Sequence, residues 1–217
     1  VLLLAAQAAA GQEPFGSPGV PRSTPEVEAA PAVRAPERAR ASDHGFVLEL
    51  HSDFGFERLV AIQYPDDTRT TMHLNDGFAF ALGWSFLPLS QGRLATRLAA
   101  GFKLDMLRAS NGDALFTTVP VDLMELAYAG PFRLGAGASV LLWPRMRGGG
   151  FLEDARFHFD PAPGVVLDAE WIVAPRTRTG LGLRASWYRF SWDGGSRGAP
   201  SIGLLIRTDL PVGRRVR

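Results

Sequence analysis

The sequence predicts an all-β fold, an eight-stranded antiparallel up-and-down transmembrane β-barrel with a disordered N-terminal segment. Three observations carry this reading. From His44 onward, bulky apolar residues alternate with small or charged ones in eight successive runs, the period-two pattern of strands that face two environments. The connections between runs alternate short and long, as in a barrel with tight turns at one end and larger loops at the other. Aromatic residues gather near both ends of the runs, as they do at the two interfaces of a bilayer.

In the first run Phe46, Leu48, Leu50, Phe54 and Phe56 share one face, and Glu49, His51, Asp53 and Glu57 share the other. The second sets Phe78, Phe80, Leu82, Trp84 and Phe86 against Ala79, Ala81, Gly83 and Ser85. The third sets Leu94, Leu98, Phe102, Leu104 and Met106 against Arg97, Gly101, Lys103 and Asp105. In the fourth, Val119, Val121 and Leu123 oppose Thr118 and Asp122. Pro120 removes one ladder donor there, and a loss of register near Met124 predicts a bulge or strand end. The fifth places Phe132, Leu134, Val140 and Leu142 opposite Arg133, Gly135, Gly137 and Ser139. The sixth has Val165, Leu167 and Trp171 opposite Asp168 and Glu170. The seventh has Leu181, Leu183 and Trp187 opposite Gly182, Arg184, Ser186 and Tyr188, and the eighth Ile202, Leu204 and Ile206 opposite Gly203, Arg207 and Asp209.

Short turns are expected at 88–93, 129–131 and 174–179, and longer external loops at 57–76, 108–115, 144–160 and 192–200. Alternation alone leaves open which face is the interior. The charged faces are also rich in Gly, Ala and Ser, which suits a crowded lumen better than a solvated surface, so the apolar face is expected to meet lipid. The opposite polarity would be a soluble calyx binding a hydrophobic ligand. With the charges inside, Glu49, His51, Asp53, Asp105, Asp122, Asp168, Glu170 and Asp209 share the lumen with Arg97, Lys103, Arg133, Arg184 and Arg207. Buried charges require pairing, so a hydrogen-bonded network is expected. The girdles are then Trp84, Phe86, Tyr128, Phe132 and Trp171 at the inner rim, and Phe54, Phe56, Phe78, Phe116, Trp143 and Trp187 at the outer rim.

Residues 1–10 are apolar and contain Ala6-Gln7-Ala8, a small-residue cleavage pattern, and read as the remnant of a signal peptide. Residues 11–43, rich in Pro and Ala, cannot sustain a ladder and read as a linker or tail. The barrel is expected over 44–212, with a basic tail at 213–217. Lys and Arg total 23 against 22 Asp and Glu, a net charge of +1, which gives no bulk field for nucleic acid. The chain has no cysteine, which excludes disulfides and thiolate chemistry.

Over 44–212 this pattern resembles the small eight-stranded outer-membrane barrels of the OmpA, OmpX and OmpW kind. The resemblance implies location in the outer membrane and contact with its lipid and lipopolysaccharide. Barrels of that kind usually end in a strand with a terminal aromatic, whereas here Gly213-Arg214-Arg215-Val216-Arg217 follows the eighth run. Some of them modify lipid A, and His51-Ser52-Asp53 contains residue types used in acyl transfer. On a strand, however, Ser52 points away from the face shared by His51 and Asp53, so no catalytic residue is expected.

No cofactor or metal site is expected either. Gly148-Gly149-Gly150 lacks the Lys-Ser/Thr of a phosphate loop, and Asp66-Asp67 and Glu153-Asp154 match no calcium loop. Arg145, Arg147 and Arg156 form a basic cluster suited to phosphate or to plain solvation. The expected role is structural, or an interaction with an envelope or surface partner through the external loops. A small channel for ions or apolar solutes, the calyx and a lipid A-modifying enzyme are the alternatives.

Overall fold

The computed structural model describes residues 44–63, 69–86, 93–108, 112–150 and 156–212. The expected signal-peptide remnant, linker and basic tail lie outside these residues, as do most of the 88–93 turn and the Asp66-Asp67 and Glu153-Asp154 pairs. Eleven strands form among the described residues: β1 (His44–Gly55), β2 (Glu57–Gln63), β3 (Arg69–Leu74), β4 (Gly77–Phe86), β5 (Leu94–Arg108), β6 (Gly112–Ala129), β7 (Phe132–Gly150), β8 (Arg156–His158), β9 (Ala162–Ala174), β10 (Thr179–Trp192) and β11 (Gly195–Pro211).

Eight of these make the barrel wall. Each pairs antiparallel with its neighbour in the order β1, β4, β5, β6, β7, β9, β10, β11, and the β1–β11 pairing closes the ring, so the wall has no free edge. β2 and β3 form a separate hairpin beyond β1 and β4, and β8 adds to the outer end of β7.

The polarity is that of a membrane barrel. Leu98, Leu134, Leu167 and Leu204 are more than half exposed on the outside, while Arg97, Arg133, Arg184 and Arg207 are fully buried inside. A calyx in water would do the reverse, and that alternative is excluded. Small lumen residues make room for large ones. A Cβ added at Gly180 would stand 2.9 Å from Glu170 Oε2 and 3.1 Å from Arg133 Nη2, in the space that this ion pair occupies.

Three expectations about the chain's course need correction. β6 does not lose register near Met124. Met124 and Leu126 stay in sequence on the inner face, both buried, in the space left by Gly135, where a Cβ would stand 2.8 Å from Leu126 and 3.0 Å from Met124. The irregularity lies instead where Thr117 pairs with Arg145 but Val119 with Leu142, so that Trp143 and Pro144 of β7 oppose Thr118 alone and β7 carries one extra residue. Trp143 takes a left-handed φ of 49°, and the Thr118 hydroxyl donates to the Leu142 carbonyl at 3.0 Å beside it.

The expected long loops are also mostly strand. β5 and β6 are separated only by 109–111, β10 and β11 only by Asp193-Gly194, and 57–76 contains the β2–β3 hairpin. In the girdles, Phe116 and Tyr128 do not face lipid. Both lie on the inner face of β6, at its outer and inner ends, because even-numbered residues of this strand point inward throughout.

Candidate functional site

The lumen is organised in tiers, each set by side chains that a period of two places on the inner face. The middle tier centres on Glu49 of β1. Its carboxylate accepts from Arg184 Nη1 at 2.7 Å and from Arg207 Nε at 2.9 Å, and it also pairs with Arg97. Arg184 reaches on to Asp122, which accepts from Ser139 Oγ at 2.5 Å, and Tyr188 Oη donates to Ser139 at 2.8 Å. Arg207 pairs with both Asp168 and Glu170.

The inner tier is Arg133, which donates to Glu170 at 2.5 Å and to Asp209 at 2.6 Å. Tyr128 Oη, assigned from sequence to the lipid interface, donates to Asp209 at 3.3 Å instead. In the outer tier Lys103 Nζ and His51 Nδ1 meet Asp53 Oδ2 at 2.6 and 2.9 Å. Asp105, two residues further out on β5, is half-buried at the edge of the lumen.

Among the described residues five buried cationic side chains therefore face six buried carboxylates, besides His51. Near-balance and multiple partners per group are what allow charges to remain in a low-dielectric interior, where a lone ion would cost several kcal/mol. The chemistry of the set is mutual neutralisation. Ser52 lies on the opposite face of β1, paired with lipid-facing Leu204, and is not beside His51 and Asp53 as a nucleophile would be. Among the described residues no group of His, Asp and Glu is arranged to hold a metal ion.

Above the charged tiers, sequence reasoning missed a second layer. The β2–β3 hairpin folds inward, burying Met72, Leu74 and Asn75. The Asn75 amide donates to Ser186 Oγ and Ser201 Oγ at 2.8 Å each and to the Ala199 carbonyl at 3.3 Å, while Lys103 donates to its side-chain and backbone oxygens. Met72 and Leu74 pack with Leu107, Phe116, Met146 and Phe190, and Phe116, Phe159, Phe190 and Trp192 form a chain of edge-on ring contacts at 5.8–6.2 Å. The one signal in the sequence was the alternation Met72, Leu74 against Thr71, His73, which continues the strand pattern through a segment read as loop. Outside this cap lies a cavity of about 760 Å³ whose walls include Leu59, Phe157 and Trp192 together with Arg58, Arg156 and Arg197. Arg197 is held there by Glu57 at 2.5 Å.

The remaining girdle residues occupy the lipid face. Phe54, Phe56, Phe78, Trp143 and Trp187 stand at the outer rim and Trp84, Phe86, Phe132 and Trp171 at the inner, with Trp84 stacked on His44 at 5.6 Å. Closure, the apolar outer band and the paired charges within give the chain the architecture of a small eight-stranded transmembrane barrel.

No protein-family model and no curated protein matches the sequence. Among solved structures the chain is similar to Neisserial surface protein A, at 11% identity and a TM-score of 0.45 over 78% of this chain and 99% of that one. It is similar to Ail, the attachment invasion locus protein of Yersinia pestis, solved with the heparin analogue sucrose octasulfate, at 8% identity and 0.46 over 78% and 98%. It is also similar to the outer membrane protein AlkL in lipid bilayers, at 10% identity and 0.41 over 88% and 99%.

Proposed function

We propose that this protein is a closed-lumen barrel of the outer membrane that serves as an envelope anchor and presents an interaction surface at its outer rim, without enzymatic activity. The observation that carries this reading is the middle tier, where Glu49 of β1 is contacted by Arg97 of β5, Arg184 of β10 and Arg207 of the adjacent β11. Eight strands leave an interior just wide enough for side chains to fill. The salt-bridged side chains there and the apolar cap above support a lumen closed to hydrated ions. Outer-membrane lipid and lipopolysaccharide surround the wall, and the rim to which 57–63, 69–76, 144–150 and 156–160 contribute is the surface offered to an envelope or cell-surface partner. The Ala6-Gln7-Ala8 pattern supports export of the chain.

Purified protein reconstituted in planar bilayers should give no stepwise conductance. Regular steps from the wild-type chain would instead make it a small channel. Burial of His51 and Asp53 away from Ser52 supports the non-enzymatic reading. Overexpression should accordingly leave the mass spectrum of lipid A unchanged.

A further inference from the structure

The Trp143 bulge has an effect on the charge pattern above it. Below it the inward residues of β7 are odd-numbered, from Arg133 to Leu141, and above it they are even-numbered, Pro144 and Met146. Arg145 and Arg147, which an uninterrupted alternation would aim into the lumen, are turned outward and exposed, immediately above exposed Trp143 of the outer girdle. β8 then pairs so that His158 lies opposite Arg145 and Arg156 opposite Arg147. Four basic residues, three arginines and one histidine, thus lie on two paired strands with two guanidinium groups in directly opposed positions, and Arg156 and His158 also border the cavity outside the cap.

Like charges in opposed positions on paired strands are destabilising unless something neutralises them. Among the described residues no carboxylate forms an ion pair with Arg145, Arg147 or Arg156. Arg145 Nε donates to the Thr117 hydroxyl at 3.3 Å, and the nearest acidic positions by register are Asp113, opposite Gly149 and Arg108, and Asp160 beyond β8. Glu153 and Asp154 belong to the segment outside the described residues.

We infer that this patch binds the phosphate groups of a phosphorylated glycolipid in the outer leaflet, the lipopolysaccharide class. This rests on the reading that the barrel spans the outer membrane. Position selects the occupant, since the patch sits at headgroup height just above the ring of aromatics. Chemistry selects phosphate, because the planar guanidinium fork matches its oxygens in pairs.

The test is titration of the full chain in detergent micelles with diphosphoryl lipid A, followed through arginine side-chain NMR shifts. Arg145, Arg147 and Arg156 should shift and saturate together, and R147Q/R156Q should weaken binding at least about tenfold, the scale of a lost charge-assisted hydrogen bond. Arg93→Gln, at the inner end, should change nothing. Single Arg156→Gln, on the short β8 outside the barrel wall, serves if the double variant fails to fold by heat-modifiable gel mobility. Unchanged affinity in these variants, or equal binding of dephosphorylated lipid A, would overturn the inference. So would saturation of the same signals by inorganic phosphate at the same concentrations, which would make the patch a general anion site. Conductance by the wild-type barrel would sink the closed-lumen reading and leave these outcomes untouched.

Discussion

Below the outer girdle and above it, the same strands obey opposite rules. Along β10 the inward residues run Arg184, Ser186, Tyr188, Phe190, and the outward ones Leu183, Ala185, Trp187, Arg189. On β6, Phe116 at the outer end and Asp122 at mid-height share the inner face, both buried. Within the membrane the wall is apolar outside and charged inside. Beyond it, the wall becomes charged outside around an apolar cap. What changes is the solvent outside, hydrocarbon for one part and water with headgroups for the other, and each face is selected against what it touches. The two regions are therefore held together differently, by paired charges below and by apolar packing above.

Four substitutions would sharpen or break this contrast. Glu49→Ala should have the largest effect, because it leaves three buried guanidinium groups short of a partner. A loss of about 3–5 kcal/mol is expected, measured by urea unfolding in lipid with heat-modifiable mobility as the readout. A change within a few tenths would mean that the network does not hold the membrane section. Leu204→Arg, on the lipid face between the girdles, should cost about 2–4 kcal/mol. If it were tolerated, the assignment of that face to hydrocarbon would fall.

Asn75→Ala should cost about 1–3 kcal/mol by removing the donors to Ser186 and Ser201 and one acceptor of Lys103. Its effect should be concentrated in the hairpin, with amide exchange in 69–74 accelerating while the central strands stay protected. Uniform acceleration throughout the barrel would show that cap and lumen form one cooperative unit. Arg189→Leu, just above Trp187, should move stability by less than about 0.5 kcal/mol. A large effect there would place the hydrocarbon boundary higher than the girdle.

Much of the wall was legible before any coordinates. Alternation is local, so the faces of Glu49, Arg97, Arg184 and Leu204 follow from the identities of neighbouring residues, and size and charge told inside from outside. The aromatic girdles were legible where a strand keeps its parity to the rim and keeps facing lipid there, as for Trp171 and Trp187. They failed at Phe116 and Tyr128, which lie on the lumen face of β6 where the interior turns apolar or needs a donor for Asp209.

The sequence by itself determined that this chain builds a closed sheet with two chemically distinct faces, because a strand's side-chain period is fixed by backbone geometry and needs no knowledge of distant residues. Only the tertiary structure decided which arginine meets which carboxylate, that Asn75 turns in to tie the hairpin over the lumen, and that the Trp143 bulge sends Arg145 and Arg147 outward. Those outcomes depend on barrel closure, which brings Glu49 and Arg207 into contact from positions 158 residues apart. No local pattern encodes that register.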